Sequence, residues 1–172
     1  GQTPYSGNIP GNLEETPVAI EEVDEIGADA LRFTLTALAS PSMDITLSEG
    51  RLRSSRQFIN KLWNASRFAL MNLEGYKAAP VTDDQLLLED RWLLSRLANV
   101  SGAVTTALAE YRFADAAREL YSFAWDDFCS FYVEITKARF AVPDKRAVAQ
   151  RVLAHALDTL LRLLHPMTPF LT

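Results

Sequence analysis

The chain has 172 residues, of which 48% are hydrophobic, and this is enough for a globular domain with a core of its own. It has no apolar run of the roughly 18 residues that a membrane span requires and no signal-peptide pattern, so we expect a cytoplasmic protein without membrane contact. The single cysteine, Cys129, excludes an internal disulfide and argues against a metal site, so we predict no bound metal.

The net charge of −5 is unfavourable for a protein that binds nucleic acid, but the charges are distributed unevenly. Seven of the 22 acidic residues precede Leu31, whereas all 17 lysines and arginines follow it. Residues 48–72 contain one acidic residue, Glu49, and five basic residues: Arg51, Arg53, Arg56, Lys61 and Arg67. Screening at physiological salt limits the reach of a charge to about 8–10 Å, so this local basic strip is sufficient to attract phosphates.

The first part of the chain is predicted to lead into a helical domain. Residues 1–15 are rich in Gly, Pro, Asn and Ser and are interpreted as a linker or junction, native or added. Residues 16–47 are predicted to be connecting helices: a short helix that Gly27 ends or bends, and a second over 28–39 with Leu31, Leu35 and Leu38 on one face. Pro41 stops that helix, and residues 44–47 form a short extended piece.

Residues 48–172 are predicted to be an all-α bundle of about four long helices, because four segments carry apolar residues at helical spacing. The first helix begins near Ser48 and ends near Leu73, and the others cover 89–110, 113–139 and 144–164. The stripes expected to be buried are Phe58, Ile59, Leu62, Trp63, Leu70 and Leu73; Leu93, Leu97, Val100, Val104 and Leu108; Leu120, Ala124, Phe128, Phe131 and Ile135; and Val148, Val152, Ala156, Leu160 and Leu163. Trp92 and Trp125 are also expected in the core.

A second side of the first long helix is predicted to bind single-stranded nucleic acid. Gln57, Lys61, Asn64 and Phe68 follow one another at i, i+4, i+7 and i+11, so they lie in line. A cation, two amides and an aromatic ring are the groups that hold unstacked bases by charge, hydrogen bonds and stacking. We predict that Lys61 contacts a phosphate or base carbonyl, that Phe68 lies beneath a base, and that Asn64 reads an adenine edge.

Three arginines, Arg51, Arg53 and Arg56, precede this line and could hold a nucleic-acid backbone, since phosphate contacts position without specifying sequence. The structural alternative is that Phe68 packs in the core while Lys61 and the arginines are only solvated.

Several sequence motifs point to a known family. The motif at residues 61–72 is KLWNASRFALMN, and it resembles a helix of the anticodon-binding domain of valyl-tRNA synthetases, which are class I aminoacyl-tRNA synthetases. Five further motifs resemble the same family and follow the same order as in its members. They are GADALRFTL (27–35), SPSMDITLS (40–48), DRWLLSRL (90–97), YRFADAARELYSFAWDDFCSFYVEITK (111–137) and LLHPMTPFLT (163–172). The resemblance covers roughly residues 21–172.

This resemblance implies an anticodon-binding helical bundle, cut from a longer enzyme on both sides, whose partner is the anticodon stem-loop of tRNA. The whole enzyme would attach valine to tRNA using ATP with Mg. Its catalytic domain, in the same polypeptide, is not represented here, so we expect neither catalytic residues nor a cofactor in this segment. Asp29 and Arg32 are expected to make polar contacts between segments, and the protein is expected to be a monomer.

Two alternatives stay open at this point. The isoleucine, leucine and methionine members of the group share the helical bundle, and the GADALRF motif does not distinguish them. A protein of another class, a helical scaffold that binds protein partners, is compatible with the acidic start and the many aromatic residues.

Overall fold

The computed structural model describes residues 27–39 and 47–172, and they form a helical bundle. The elements are α1 (Ala28–Leu38), α2 (Glu49–Asn72), α3 (Leu88–Ala109), α4 (Phe113–Ser122), a π-helical segment (Phe123–Tyr132), α5 (Val133–Phe140) and α6 (Pro143–Leu164). Because α4, the π-helical segment and α5 follow one another without a break, they make one long helix over 113–140. The predicted all-α fold with four long helices is therefore confirmed.

The linker predicted at 1–15, the helix predicted over 16–26 and residues 44–46 of the predicted extended piece lie outside the described residues. In the described part of the chain, no helix combines the length and the apolar character that crossing a membrane requires.

The helix ends follow from local chemistry. Asp90 accepts a hydrogen bond from the backbone N–H of Leu87 at 3.1 Å, which satisfies a free donor at the start of α3. Pro143 stands in the first turn of α6, where its missing N–H costs nothing. Gly75, just after α2, has φ of +75°, a left-handed conformation that glycine adopts without strain.

The long helices meet in one core whose largest fully buried side chains include Tyr132, Phe58, Phe123 and Phe128. The stripes predicted for two of these helices are confirmed in their central parts. In α3 the buried residues include Leu93, Leu97, Val100 and Val104, and in α6 they include Val152, Ala156 and Leu160. Leu108, Val148 and Leu163, at the ends of those stripes, are partly buried against the core.

The stripe predicted for the third helix is wrong at its C-terminal end. Phe131 and Ile135 are 46% and 43% exposed, whereas Tyr132 and Thr136 are fully buried. The reason is the π-helical segment, in which hydrogen bonds span five residues, as in the bond from the Val133 N–H to the carbonyl of Phe128. This wider turn moves the buried side one position along the sequence.

The buried stripe of α2 also differs from the prediction. Trp63 and Leu70 are 53% and 65% exposed, so their assignment to the core is wrong. The buried residues of α2 are Leu52, Ser55, Phe58, Leu62, Ala65 and Ala69. Three of these six, Ser55, Ala65 and Ala69, have small side chains. Small side chains let neighbouring helices approach closely, and a prediction that selects the largest apolar residues misses them. Trp92 and Trp125 are partly buried against the core.

Helix α1 is fixed to the C-terminal segment of the chain, residues 166–171, through Asp29 and Arg32, as expected. The Asp29 carboxylate accepts the backbone N–H groups of Phe170 (3.3 Å) and Leu171 (2.6 Å). Arg32 donates to the carbonyl oxygens of Pro166 (2.9 Å) and Met167 (3.3 Å). These intersegment contacts are confirmed.

The side of α1 that packs against its neighbours was not the predicted one. Leu35 is exposed, whereas Ala30, Phe33 and Thr34 are buried. Thr34 donates its hydroxyl proton to the carbonyl of Ala30 at 2.8 Å and accepts a hydrogen bond of 2.7 Å from Ser55 of α2.

A buried ion pair joins the start of α3 to the end of α5. The Arg139 guanidinium donates two hydrogen bonds, of 2.6 and 2.8 Å, to the carboxylate of Asp90, and the Tyr132 hydroxyl donates a third of 2.7 Å. Burial opposes the charge on Arg139, but the bonds to Asp90 outweigh it and hold the pKa of Arg139 above its ordinary value. Burial and the bond to Asp90 raise the pKa of Tyr132. The pair fixes the position of α5 relative to the bundle.

Candidate nucleic-acid interface

A groove of about 250 Å³ lies between α2 and the long helix that contains the π-helical segment. Three of the four residues predicted on one line of α2 lie along it, and its lining is Lys61, Asn64, Ala65, Phe68, Cys129, Val133, Glu134 and Lys137. The fourth, Gln57, is exposed about one turn further toward the N-terminus of α2, outside this lining. The tertiary structure therefore combines the predicted groups with side chains from a second helix.

Lys61 is partly buried on the wall of the groove. Its ammonium donates a hydrogen bond of 2.6 Å to the Ser130 hydroxyl and lies 3.8 Å from the centroid of the Trp125 ring. Ser130 is held in turn by a 2.7 Å bond to the carbonyl of Trp125. A lysine ammonium has three donors, so donors remain for a phosphate or a base carbonyl while these contacts fix its position.

Phe68 is partly buried: it packs against the core and also lines the groove. Its ring meets Phe140 at a centroid distance of 6.1 Å in an edge-on arrangement, and the Lys137 ammonium lies 5.5 Å from its centroid. Lys137 is also paired with Glu134 at 2.6 Å. The sequence left two alternatives for this ring, packing in the core and contact with a base. The ring packs against the bundle, as the first requires, and it lines an open groove, as the second requires.

The other predicted residues extend the surface toward the N-terminus of α2. Asn64 and the arginines Arg51, Arg53 and Arg56 are exposed. Arg53 forms an ion pair with Glu49. At about 1.5 Å per residue, Arg51 and Phe68 lie about 25 Å apart along the helix axis, so these groups suit an extended ligand better than a small molecule.

Sequence reasoning missed functional candidates on both sides of this interface. Lys137, Ser130 and Trp125 could not be found from α2 alone, because only the packing of two helices brings them to Lys61 and Phe68. On α2 itself the exposed side also carries Asn60, Trp63, Arg67, Leu70 and Met71. The signal for these was available, because Asn60, Trp63 and Arg67 stand at i, i+3 and i+7.

The groove is lined by the single cysteine of the chain as well as by charged and aromatic side chains. Burial raises the pKa of Cys129 to about 12, so its thiol is neutral at physiological pH and is a poor nucleophile. Among residues 27–39 and 47–172, no three His, Cys, Asp or Glu side chains lie close enough together to hold a metal ion. What the groove and the neighbouring helix side offer is ammonium and guanidinium charge, amides and aromatic rings.

Comparison with known families identifies a matching domain. The family described as the anticodon-binding domain of tRNA ligase matches residues 90–172, the part from α3 to the last residue.

Similar full-length proteins include several bacterial valine–tRNA ligases. The one from Rhodopirellula baltica is 56% identical over 122 residues, which are 71% of this chain and 12% of that protein. Those from Syntrophotalea carbinolica and Thermotoga maritima are each 48% identical, over 87% and 89% of this chain and 17% of each protein. The chain thus spans between 12% and 17% of the length of these relatives.

A solved structure has the same fold. The LeuRS of Agrobacterium radiobacter K84, in a ternary complex with tRNA and LeuAMS, superposes with a TM-score of 0.67 at 24% identity. The superposition covers 88% of this chain and 18% of that protein.

Proposed function

Because this chain belongs to the anticodon-binding domains of tRNA ligases, we propose that α2 and the adjoining groove bind the anticodon stem-loop of a tRNA. The observation that carries this proposal is the convergence of Lys61, Asn64 and Phe68 with Lys137 along one open groove. An unpaired loop presents splayed bases and phosphates, and this groove offers a ring, an amide and two ammonium groups to them.

Each group has a distinct part in the proposed complex. Phe68 stacks on one base, and its contact with Phe140 holds the ring in place, so little side-chain freedom is lost on binding. Lys61, held by Ser130 and Trp125, directs a remaining donor toward a phosphate or base carbonyl. Asn64 presents its amide to an adenine edge, which suits the central base of valine anticodons.

The exposed arginines at the start of α2, Arg51, Arg53 and Arg56, contact the phosphates of the anticodon stem in this proposal, with Gln57 beside them. Such contacts position the duplex and make the affinity depend on salt.

The whole protein is proposed to be a valine–tRNA ligase, in agreement with the names of its relatives. It would attach valine to tRNA with ATP and Mg in a catalytic domain of the same polypeptide, in the cytoplasm and as a monomer. The 172-residue segment would contribute the recognition of tRNA. The relatives favour valine over the isoleucine, leucine and methionine members of the group.

Titration of the 172-residue chain with a valine anticodon stem-loop tests the proposal. Phe68→Ala should weaken binding by about 1–3 kcal/mol, the usual contribution of one stacked base. The control is Phe131→Ala, which removes an exposed ring that packs on Trp92 of α3, away from the groove. This control should bind as the parent chain does.

Two results would contradict the proposal. One is equal affinity of the parent chain for the valine stem-loop and for a loop with a changed anticodon. The other is binding that does not weaken as salt is raised, since counterion release requires a steep decrease. Salt-independent capture of a protein instead of RNA would favour the scaffold alternative.

A further inference from the structure

The most exposed tryptophan of the described chain lies on α2, beside the proposed interface. Its apolar character would predict a buried position, but it lies outside the core. Trp63 is 53% exposed. Burying a tryptophan ring on folding is strongly favourable, so a ring left in solvent next to a binding surface is available to a ligand.

The neighbours of Trp63 on the helix surface have the chemistry of a nucleic-acid contact. Asn60 and Arg67 stand three residues before and four residues after it, and Arg56 stands one turn before Asn60, so the four side chains form a line. All four are exposed. We call this line the Trp63 stripe.

The Trp63 stripe is separate from the groove at Phe68. Five residues along an α-helix correspond to a rotation of about 140°, so Trp63 and Phe68 project toward nearly opposite edges of the exposed side. A helix with its side chains is about 10–12 Å across. A single base cannot stack on both rings, so a nucleotide held at Trp63 must be a different one.

We propose that Trp63 is a second stacking position, which takes an unpaired nucleotide of the tRNA loop other than the one at Phe68, with Arg67 on a phosphate of that nucleotide and Arg56 on the side of the stem. This proposal rests on the proposed function and adds a second point of attachment to it.

Charge identifies RNA as the occupant of the stripe. The stripe places a guanidinium on each side of the ring, and such a pair of cations is complementary to the phosphates that flank a base in RNA. The one acid of α2, Glu49, lies at its first residue and pairs with Arg53. A ring between cations, next to an amide, is complementary to a base between two phosphates.

The experiment compares the 172-residue chain with Trp63→Ala, Trp63→Phe and Leu70→Ala in binding to the valine anticodon stem-loop. Trp63→Ala should reduce the affinity about 5- to 150-fold, the range for loss of one stacked base. Trp63→Phe keeps a ring and should retain most of the affinity. Leu70→Ala is the matched control, because Leu70 is an exposed apolar residue near Trp63 that cannot stack. Since both side chains are exposed, all variants should unfold at the same urea concentration as the parent.

Loops in which one nucleotide at a time is made abasic then locate the contact. The Trp63→Ala penalty should disappear for one abasic position, and the Phe68→Ala penalty for another, because a removed base no longer couples to its ring. Arg67→Gln, which removes a charge that the anticodon proposal does not use, should also lower the slope of log affinity against log salt by about 0.7–0.9.

Three results would overturn the second stacking position. They are an unchanged affinity of Trp63→Ala while Phe68→Ala weakens binding, an equal loss in Leu70→Ala, and coupling of both rings to the same abasic position. In each of these cases the proposed anticodon function stands. If the parent chain binds no stem-loop at all, both proposals fail together.

Discussion

Removing Arg139 should destabilise the bundle strongly, because its partner would remain buried and charged. The Asp90 side chain is 0% exposed and that of Arg139 is 7% exposed, and two hydrogen bonds of 2.6 and 2.8 Å join them. Truncating one member of a buried ion pair typically costs about 3–5 kcal/mol, most of it the penalty of an uncompensated charge. We expect this loss for Arg139→Met, moderated only by the bonds that Asp90 keeps from Tyr132 and Leu87.

A double-mutant cycle separates that penalty from general damage to packing. Asp90→Asn removes the charge but keeps an oxygen acceptor, so Arg139→Met combined with Asp90→Asn should cost less than the two single changes together. Arg96→Met is the control, because Arg96 forms an ion pair of 2.9 Å with Asp127 but is 39% exposed, and it should cost at most about 1 kcal/mol.

Urea unfolding followed by helical circular dichroism gives the free energy of unfolding of the parent chain and of the four variants by linear extrapolation. An Arg139→Met loss no larger than that of Arg96→Met, or strictly additive single changes, would refute the reasoning from burial.

Three further outcomes are expected. Asp29→Asn should lower the free energy of unfolding in the same urea assay by about 1–3 kcal/mol, because the buried carboxylate accepts the N–H groups of Phe170 and Leu171; an unchanged midpoint would contradict that role. Burial raises the pKa of Cys129 to about 12, so iodoacetamide at about pH 8 should modify the thiol slowly in the folded chain and rapidly in urea, and equal rates would contradict burial. The pKa of Tyr132 is raised in the folded state, whereas an unfolded tyrosine ionises near pH 10. Stability should therefore fall more steeply above about pH 10 in the parent chain than in Tyr132→Phe, and parallel pH profiles would show that this tyrosine does not contribute.

The existence of the long helices could be predicted because each carries several apolar residues at a regular spacing, as Leu93, Leu97, Val100 and Val104 do in α3. Such a pattern is a local periodicity, and the prediction of a helix from it does not depend on any single position. The rotation of a helix about its own axis is a finer property. The predicted rotation of α2 was wrong at Trp63, because the side of this helix that is buried depends on how closely the neighbouring helices approach it.

The candidate site divides in the same way. Lys61, Asn64 and Phe68 could be placed on one line from their spacing alone, but the contacts that fix them come from residues far away in sequence. Ser130 belongs to the π-helical segment, where its hydroxyl accepts from Lys61 and donates to the carbonyl of Trp125, five residues earlier.

The amino-acid sequence by itself determined the helical class of this protein, its basic strip, and its kinship with tRNA ligases, because composition, periodicity and motifs are properties of neighbouring residues. Only the tertiary structure decided which side of each helix is buried and which side chains meet across the groove. Those choices depend on the distances between helices, and distances between helices are set by packing that no single segment encodes.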